Sequence, residues 1–142
     1  MPYPPLRVFN TAEECRTHFE TTYCQGAIST FDGIEVRFRT SDFDHCFYES
    51  SNRDGTKDSF SQPRSERVDW IKAALEDATA ELYKGWDKKR RKYNLKRRVC
   101  VVCQNYVVVI AMTGHLKADF VTAYVADTGR TLAMIRTSPT WA

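Results

Sequence analysis

Short runs of alternating apolar and polar residues are concentrated in the C-terminal third of the chain. Four of them are β-prone, "RRVCVVC", "NYVVVIAM", "ADFVTAYVA" and "RTLAMIRT". The turn signals "TGH" and "DTGR" separate the last three runs. Because no crossover helix fits between runs this close together, they predict an antiparallel meander.

The N-terminal half carries helical spacing instead. In "NTAEECRTHFETTYCQG", Thr11 and Glu14 form a capping-box pattern and Gly26 is a stop signal. In "SQPRSERVDWIKAALEDATAELYKGWD", apolar residues recur every three or four positions, which predicts one long helix from Ser61 to about Gly85. These patterns predict two helices that precede most of the strands.

The segment between the two predicted helices is less regular. The run "GIEVRFRT", Gly33 to Thr40, alternates as a short strand. Asp42 to Gln62 predicts irregular structure, because it contains the turn cluster "SNRDGTKDS".

Together the elements predict a single α+β domain over residues 1–142, with N-terminal helices packed on one face of a C-terminal, four- to five-stranded antiparallel sheet. The other face is expected to be open. Strand alternation in "DFVTAYVAD" predicts three core-facing residues, Val121, Ala123 and Val125, and three on the open face, Phe120, Thr122 and Tyr124.

Positive charge is concentrated in one block. The net charge is +3, yet eight of the eleven residues in "KKRRKYNLKRR" are basic, and acidic residues outnumber basic ones elsewhere. A dense basic block with an aromatic residue predicts contact with nucleic acid, although a solvated basic loop or a charge-balanced helix end has the same composition. The candidate contacts are Lys88, Lys89, Arg90, Arg91, Lys92, Tyr93, Arg97 and Arg98.

Several functional classes lack a sequence signal. No apolar run is long enough to span a membrane, and no disulfide framework is visible among the five cysteines, so a reducing cytoplasmic setting is predicted. Cys100 and Cys103 form a lone C-x-x-C that points to both faces of a strand, which favours structural cysteines over a metal site. We therefore predict neither a metal nor a cofactor.

Two arginines and one histidine carry candidate chemistry. Arg64 and Arg67 fall near the apolar stripe of the second predicted helix, at its N-terminal end, where a phosphate is favourably bound. Alternatively, they pair with the nearby carboxylates of Glu66, Asp69 or Asp58. His45 lies among aromatic residues in "DFDHCFYES", which predicts a partly buried loop that orients its imidazole.

These residue types suffice for one class of chemistry without a metal. RNA carries its own nucleophile, the 2′-hydroxyl. Its cleavage requires a base, an acid and cations that stabilise the charged transition state.

The order of the motifs "HCFYES", "FSQPRSERVDWI", a basic stretch with Tyr93, "NYVVVI" and "VTAYV" resembles the phage-associated branch of the barnase–EndoU–colicin–RelE group of metal-independent ribonucleases. The resemblance spans about residues 36–135. It implies that His45 is a general base or acid, that Arg64 and Arg67 hold the scissile phosphate, and that Thr122 contacts this phosphate beside Tyr124. Lys92 and Tyr93 fall where members contact substrate. The insertion "SSNRDGTKDS" departs from the family pattern and leaves the match of His45 open.

The predicted function is therefore a metal-independent endoribonuclease, a toxin or phage-related effector, that acts on RNA, with tRNA as one candidate. A cognate immunity or antitoxin protein is a candidate partner. Two alternatives stay open, a non-catalytic nucleic-acid-binding module and an immunity-type protein-interaction domain. A binding module needs the basic block but not His45.

Overall fold

The computed structural model describes residues 3–49, 59–87, 90–102, 105–126 and 128–141. The helices are α1 (Ala12–Tyr23), α2 (Asp42–Phe47), α3 (Gln62–Glu66), α4 (Trp70–Leu75) and α5 (Gly129–Arg136). The strands are β1 (Ile28–Ser29), β2 (Glu35–Arg37), β3 (Tyr48–Glu49), β4 (Ser59–Phe60), β5 (Glu81–Asp87), β6 (Lys92–Val102), β7 (Tyr106–Gly114) and β8 (Lys117–Val125). The described residues form an α+β fold.

The first predicted helix is confirmed as α1. Thr11 Oγ1 accepts a hydrogen bond from the backbone N–H of Glu14 at 3.2 Å, and the Glu14 carboxylate accepts one from the N–H of Asn10 at 3.1 Å. These bonds satisfy backbone donors at the helix start, as a capping box does. The helix buries Cys15, Phe19 and Tyr23, one residue per turn on one face.

The prediction of one long second helix is wrong. The segment instead forms α3, then α4, and from Glu81 onward the edge strand β5. After α4, Asp77 Oδ1 accepts a hydrogen bond from the N–H of Thr79 at 2.8 Å, which fixes a turn where helical spacing predicted continuation. Pairing of β5 with β6 then outweighs the helical propensity of the sequence.

The described strands form a six-stranded sheet in the order β1-β2-β8-β7-β6-β5 and a separate β3-β4 pair. The antiparallel meander β5-β6-β7-β8 agrees with the prediction in type, but β2 pairs with β8 in parallel. Asp119 in β8 accepts hydrogen bonds from Arg37 at 3.3 Å and Arg39 at 3.0 Å, which tie β2 and the residues after it to β8. The sheet is therefore mixed and wider than predicted.

The run "RTLAMIRT" is a helix, α5, and its prediction as a strand is wrong. Thr128 Oγ1 accepts a hydrogen bond from the N–H of Thr131 at 3.2 Å and so caps the helix. Leu132 and Ile135, three residues apart, pack on the sheet against apolar residues of β6 and β7. The face that was expected to be open is thus partly covered.

Two apolar clusters lie on opposite faces of the sheet. The larger cluster joins α1, α2 and α4 to side chains such as Cys100, Val108 and Ile110, which confirms that N-terminal helices cover one face. The smaller cluster joins α5 to Val107 and Val109. Alternation along β7 therefore supplies apolar residues to both faces. No helix among the described residues is long and apolar enough to cross a membrane.

Arg98 belongs to the interior, which corrects its assignment as a nucleic-acid contact. Its side chain has no exposed surface, and Nη1 donates a hydrogen bond to Asp32 Oδ2 at 2.7 Å. Burial opposes ionisation of Asp32, but hydrogen bonds from Arg98 and Thr30 outweigh it and hold the pKa of this carboxyl below its usual value. A phosphate in solvent cannot reach this guanidinium.

Replacing Asp32 by alanine leaves the buried Arg98 without its counter-charge. We expect Asp32→Ala to lower the free energy of unfolding by about 3 kcal/mol, the low end for a broken buried pair, because Asp32 is partly exposed. Urea unfolding at pH 7 measures this loss. Glu13→Ala, which removes the exposed partner of Arg16, is the control and should cost less than about 1 kcal/mol.

The sign of the pH dependence follows from the lowered pKa of Asp32. The ionised Asp32 carboxylate contributes to the free energy of unfolding at pH values above the ordinary carboxyl pKa. This contribution is lost as the pH falls through the lowered pKa of the folded state. The difference between the parent and Asp32→Ala should therefore shrink in acid. An equal difference at all pH values would contradict this ionic role.

Candidate functional site

Two neighbouring cavities lie on the face of the sheet that carries α5. The larger one, of about 760 Å³, is here called the open-face cavity; β6, β7, β8 and α5 line it, together with residues 84–86 of β5. The smaller one, of about 330 Å³, is lined by Arg64 and Arg67 and is here called the arginine cavity. Tyr124 and Thr131 line both cavities, so the two are adjacent.

An extra residue in β8 turns the candidate side chains toward these cavities. Thr122 pairs with Val109, but Phe120 pairs with the next residue, Ile110, so Val121 has no opposite partner. Phe120 consequently faces the helical layer, where it is 3% exposed and stacks on Phe38 at 4.7 Å.

The assignment of Phe120 to the open face, and of Val121 to the side of Ala123, is therefore wrong. Val121 packs with the α5 cluster, whereas Thr122 and Tyr124 line the open-face cavity as expected. Simple alternation fails because the bulge shifts the parity of the strand by one residue.

Arg64 is held by the helical layer and faces the sheet. Its Nη1 donates a hydrogen bond to the carbonyl of Cys46 in α2 at 2.9 Å. Its guanidinium carbon lies 5.8 Å from the ring centroid of Tyr124, within the range of a cation–π contact. Arg64 and Tyr124 therefore form one unit in the wall of the arginine cavity.

Arg67 is positioned by different contacts. Nη1 donates a hydrogen bond to the carbonyl of Pro63 at 2.8 Å, and the guanidinium lies 5.3 Å from the ring of Trp70. Its Nε is buried and has no hydrogen-bond partner among the described residues. The Nη1 bond and the contact with Trp70 therefore fix the guanidinium in the wall of the arginine cavity.

The expectation that the N-terminus of a long helix helps Arg64 and Arg67 to bind a phosphate is wrong. Helix α3 has only five residues, and Ser61 already caps the N–H of Arg64 at 3.4 Å, so a long helix dipole does not contribute. Of the three carboxylates that were alternative partners, Asp69 pairs with Arg7 and His18, Glu66 forms no ion pair with either arginine within the described residues, and Asp58 lies outside them. Positive charge at this cavity therefore comes from the guanidinium groups and not from a helix dipole.

Tyr124 presents a neutral phenol at the junction of the two cavities. Burial raises the pKa of its phenol above the ordinary value, and the nearby charge of Arg64 opposes this shift without cancelling it. The hydroxyl therefore stays protonated at neutral and mildly alkaline pH.

His45 lies in helix α2, not in the partly buried loop that was predicted, and its side chain is exposed. It lines neither cavity in the described part of the chain. The next residue, Cys46, connects α2 to the site, since its thiol donates to the carbonyl of Ala123 at 3.4 Å and its carbonyl binds Arg64. The backbone of His45 is thus one residue from the Arg64 anchor, while its side chain points to solvent.

The described part of the basic block, residues 90–98, lies at the hairpin tip before β6 and in the first half of β6. Arg90, Arg91 and Lys92 are exposed at this tip, and Arg91 turns the chain with a φ of 53°. Lys88 and Lys89 lie outside the described residues. Tyr93 is half-buried and contacts the exposed Trp86 edge to face, with ring centroids 5.1 Å apart.

Arg97 is directed by a bulge and by a glycine. Lys84 pairs with Arg98 and Gly85 pairs with Asn94, so residues 95–97 of β6 have no opposite partner in β5. A Cβ on Gly85 would lie 2.4 Å from Cγ of Arg97, which means that the arginine stem occupies the space above the glycine. The absence of a side chain at Gly85 therefore allows Arg97 to lie in the open-face cavity.

Trp86, Lys84 and Gly85 were missed by the sequence analysis because they fell at the end of the long predicted helix. Trp86 in particular was read as the end of a helical segment. In β5 it becomes the partner of Tyr93 across the hairpin. An aromatic residue directly before a basic block was the available signal.

Comparison with family models, curated proteins and solved structures finds no match to this chain. The likeness to the ribonuclease group therefore stays a prediction that rests on its short motifs. Within the described ranges, no three side chains of His, Cys, Asp or Glu lie close enough together to hold a metal ion.

The close packing of the Arg97 side chain on Gly85 is testable by paired substitutions. We expect Gly85→Ala to lower the free energy of unfolding by about 1–3 kcal/mol, as overpacking does, because the new methyl group meets the arginine stem. In an Arg97→Ala background the same substitution should cost little, since the stem is gone. Urea unfolding of the four proteins measures the coupling, and an equal cost in both backgrounds would contradict it.

Proposed function

We propose that this protein is a metal-independent endoribonuclease whose active site lies where the two cavities meet. The observation that carries the proposal is that Tyr124 lines both cavities, contacts the Arg64 guanidinium of the arginine cavity, and lies two residues along β8 from Thr122 of the open-face cavity, so that a cation, a protonated phenol and a hydroxyl flank the junction. Such groups stabilise a phosphoryl transition state and donate protons to it.

The proposed reaction is a transesterification. The 2′-oxygen forms a bond to phosphorus as a base accepts the proton of the 2′-hydroxyl. The bond from phosphorus to the 5′-oxygen breaks, and an acid protonates this leaving oxygen. The products are a 2′,3′-cyclic phosphate and a 5′-hydroxyl, so no water enters this step.

Each role has a candidate residue. Arg64 and Arg67 bind the phosphate oxygens, and Thr122 donates a hydrogen bond to the oxygen that gains charge. Tyr124, whose neutral phenol lies where the two cavities meet, is the proposed acid that protonates the leaving oxygen. His45 is the proposed base, supported by the family resemblance and by its position next to Cys46; its exposed side chain must turn toward the cavity when RNA binds.

The biological setting follows from the proposed activity and from the resemblance. A cytoplasmic ribonuclease of the toxin or phage-effector type acts on cellular RNA, including tRNA. It requires an immunity or antitoxin protein in the cell that makes it. Such a partner would protect the host most directly by covering the two cavities.

A second candidate function is RNA binding without cleavage. Trp86 and Tyr93 at the basic hairpin favour it, because aromatic rings beside cations are typical of single-strand binding surfaces. The two functions predict different results for a change at Thr122 in the open-face cavity. A binding module loses only affinity when Thr122 changes, whereas a nuclease loses rate.

We expect Thr122→Val to reduce the rate of RNA cleavage by about 100- to 1,000-fold, the usual effect of removing one donor to a developing oxyanion. Arg64→Ala and His45→Ala should cause losses at least as large. Single-turnover cleavage of a labelled RNA in the presence of a chelator measures these rates, and the product should carry a 2′,3′-cyclic phosphate.

Three controls separate chemistry from folding. Thr122→Ser keeps the hydroxyl and should retain most of the rate. His115→Ala changes another exposed histidine, and Lys72→Ala removes a charge on α4, so both should cleave at the parental rate. Thermal melts check folding. Parental rates for well-folded Thr122→Val and Arg64→Ala would refute the proposed site, and activity that requires magnesium would refute the mechanism.

RNA binding should depend steeply on salt. Each phosphate contact to a single strand contributes about 0.7 to the slope of log affinity against log salt concentration. We expect the triple variant Arg90→Ala, Arg91→Ala, Lys92→Ala to bind more weakly and to lower this slope by about 2. A salt-independent affinity of the parent protein would contradict an electrostatic role for the hairpin.

A further inference from the structure

We propose that the Trp86 end of the open-face cavity is a subsite for one unpaired nucleobase, so that the substrate is single-stranded RNA. This inference rests on the proposed function in that it takes RNA as the ligand. It extends the proposed function in two ways. Trp86 binds a base at a distance from the arginine cavity, and the preferred substrate is a single strand.

The aromatic pair at this end has surface available for stacking. Trp86 is 48% exposed, whereas Trp70 in the core is 4% exposed. Trp86 and Tyr93 meet at an interplanar angle of 77°. An edge-to-face contact covers one face of only one of the two rings, so the pair leaves ring faces uncovered by each other. A nucleobase stacks on such a face without regard to its sequence.

Cations lie where the phosphates of a stacked nucleotide would be. Lys84 and Arg97 line the same cavity as the two aromatic rings. Gly85 gives Arg97 its place, and the Nε of Arg97 is buried with no hydrogen-bond partner among the described residues. The hairpin adds the exposed Arg90, Arg91 and Lys92, which directly precede Tyr93 in the chain. Rings beside cations match the alternating bases and phosphates of a single strand.

The same cavity connects the aromatic pair to the arginine cavity. Residues from Trp86 at one end to Tyr124 at the other line it, and Tyr124 also contacts the guanidinium of Arg64. A strand that lies along the cavity thus places one base on Trp86 while a phosphate further along meets Arg64. In a duplex, both faces of a base are stacked on its neighbours, so a duplex can use only the cations.

The experiment measures affinity without cleavage, with a 2′-O-methylated RNA of twelve nucleotides, its duplex with a complement, and an abasic strand of equal length. We expect Trp86→Ala to weaken binding of the single strand by about 5- to 150-fold, the value of one lost base stack. Binding of the duplex and the abasic strand should change less than twofold.

Trp86→Phe is the matched variant. It keeps a stacking face, so its affinity should stay within a few-fold of the parent. The quenching of tryptophan fluorescence by the single strand should nevertheless disappear, since the exposed indole is gone. Thermal melts verify that both variants fold.

The outcomes are distinguishable from those of the proposed function. Equal losses for single strand, duplex and abasic strand, or no loss for Trp86→Ala, would overturn the subsite even if the protein cleaves RNA. Base-dependent binding through Trp86 in a protein that never cleaves RNA would support the subsite and refute the nuclease. No binding of any of the three strands by the parent would refute both.

Discussion

The inner strands of the sheet carry apolar side chains on both faces, and this constraint determines the architecture around them. In β7, Val108 and Ile110 point to one side and Val107 and Val109 to the other, and all four are buried. Both faces must therefore be covered. The helices α1, α2 and α4 cover one of them, and α5 covers the other. Because α5 has only eight residues, its cover is partial, and the uncovered remainder of the face is the open-face cavity.

Departures from regular strand pairing determine which side chains enter this cavity. The extra residue Val121 in β8 lets Phe120 and Ala123 share the helical face, and it leaves Thr122 and Tyr124 at the cavity. The bulge before Arg98, where residues 95–97 of β6 have no partner in β5, similarly brings Arg97 over Gly85. Bulges interrupt the ladder and weaken pairing locally, so they are favoured where a re-aimed side chain is useful. Here both bulges direct polar groups toward one cavity.

The sequence predicted the elements whose signals are local. The cap at Thr11 and the alternating runs of β6, β7 and β8 depend on neighbouring residues, and these elements formed as expected. The long second helix and the strand at "RTLAMIRT" failed because tertiary context decided them. The segment from Glu81 gains a ladder with β6, and Leu132 and Ile135 gain an apolar face to cover.

The candidate site was predictable in its residue types and less so in its geometry. Arg64 lines the arginine cavity, Thr122 lines the adjacent open-face cavity, and Tyr124 lines both. His45 does not line them, since helical pairing in α2 directs Cys46, and not its neighbour, toward β8. Trp86 was missed because most of β5 was predicted as helix up to about Gly85, which left Trp86 without a strand assignment.

Two adjacent arginines show why the number of basic residues in a sequence block overstates the charge available to a ligand. Arg97 and Arg98 are equivalent in composition, yet the strand directs them to opposite environments. The buried guanidinium of Arg98 is paired with the partly exposed Asp32, whereas Arg97 lies in the open-face cavity. A charge paired at 2.7 Å is compensated by its neighbour and contributes little at a distance. The positive charge available to a ligand therefore comes from the hairpin tip, Arg97 and the arginine cavity, and Arg97 lines the same cavity as the rings of Trp86 and Tyr93.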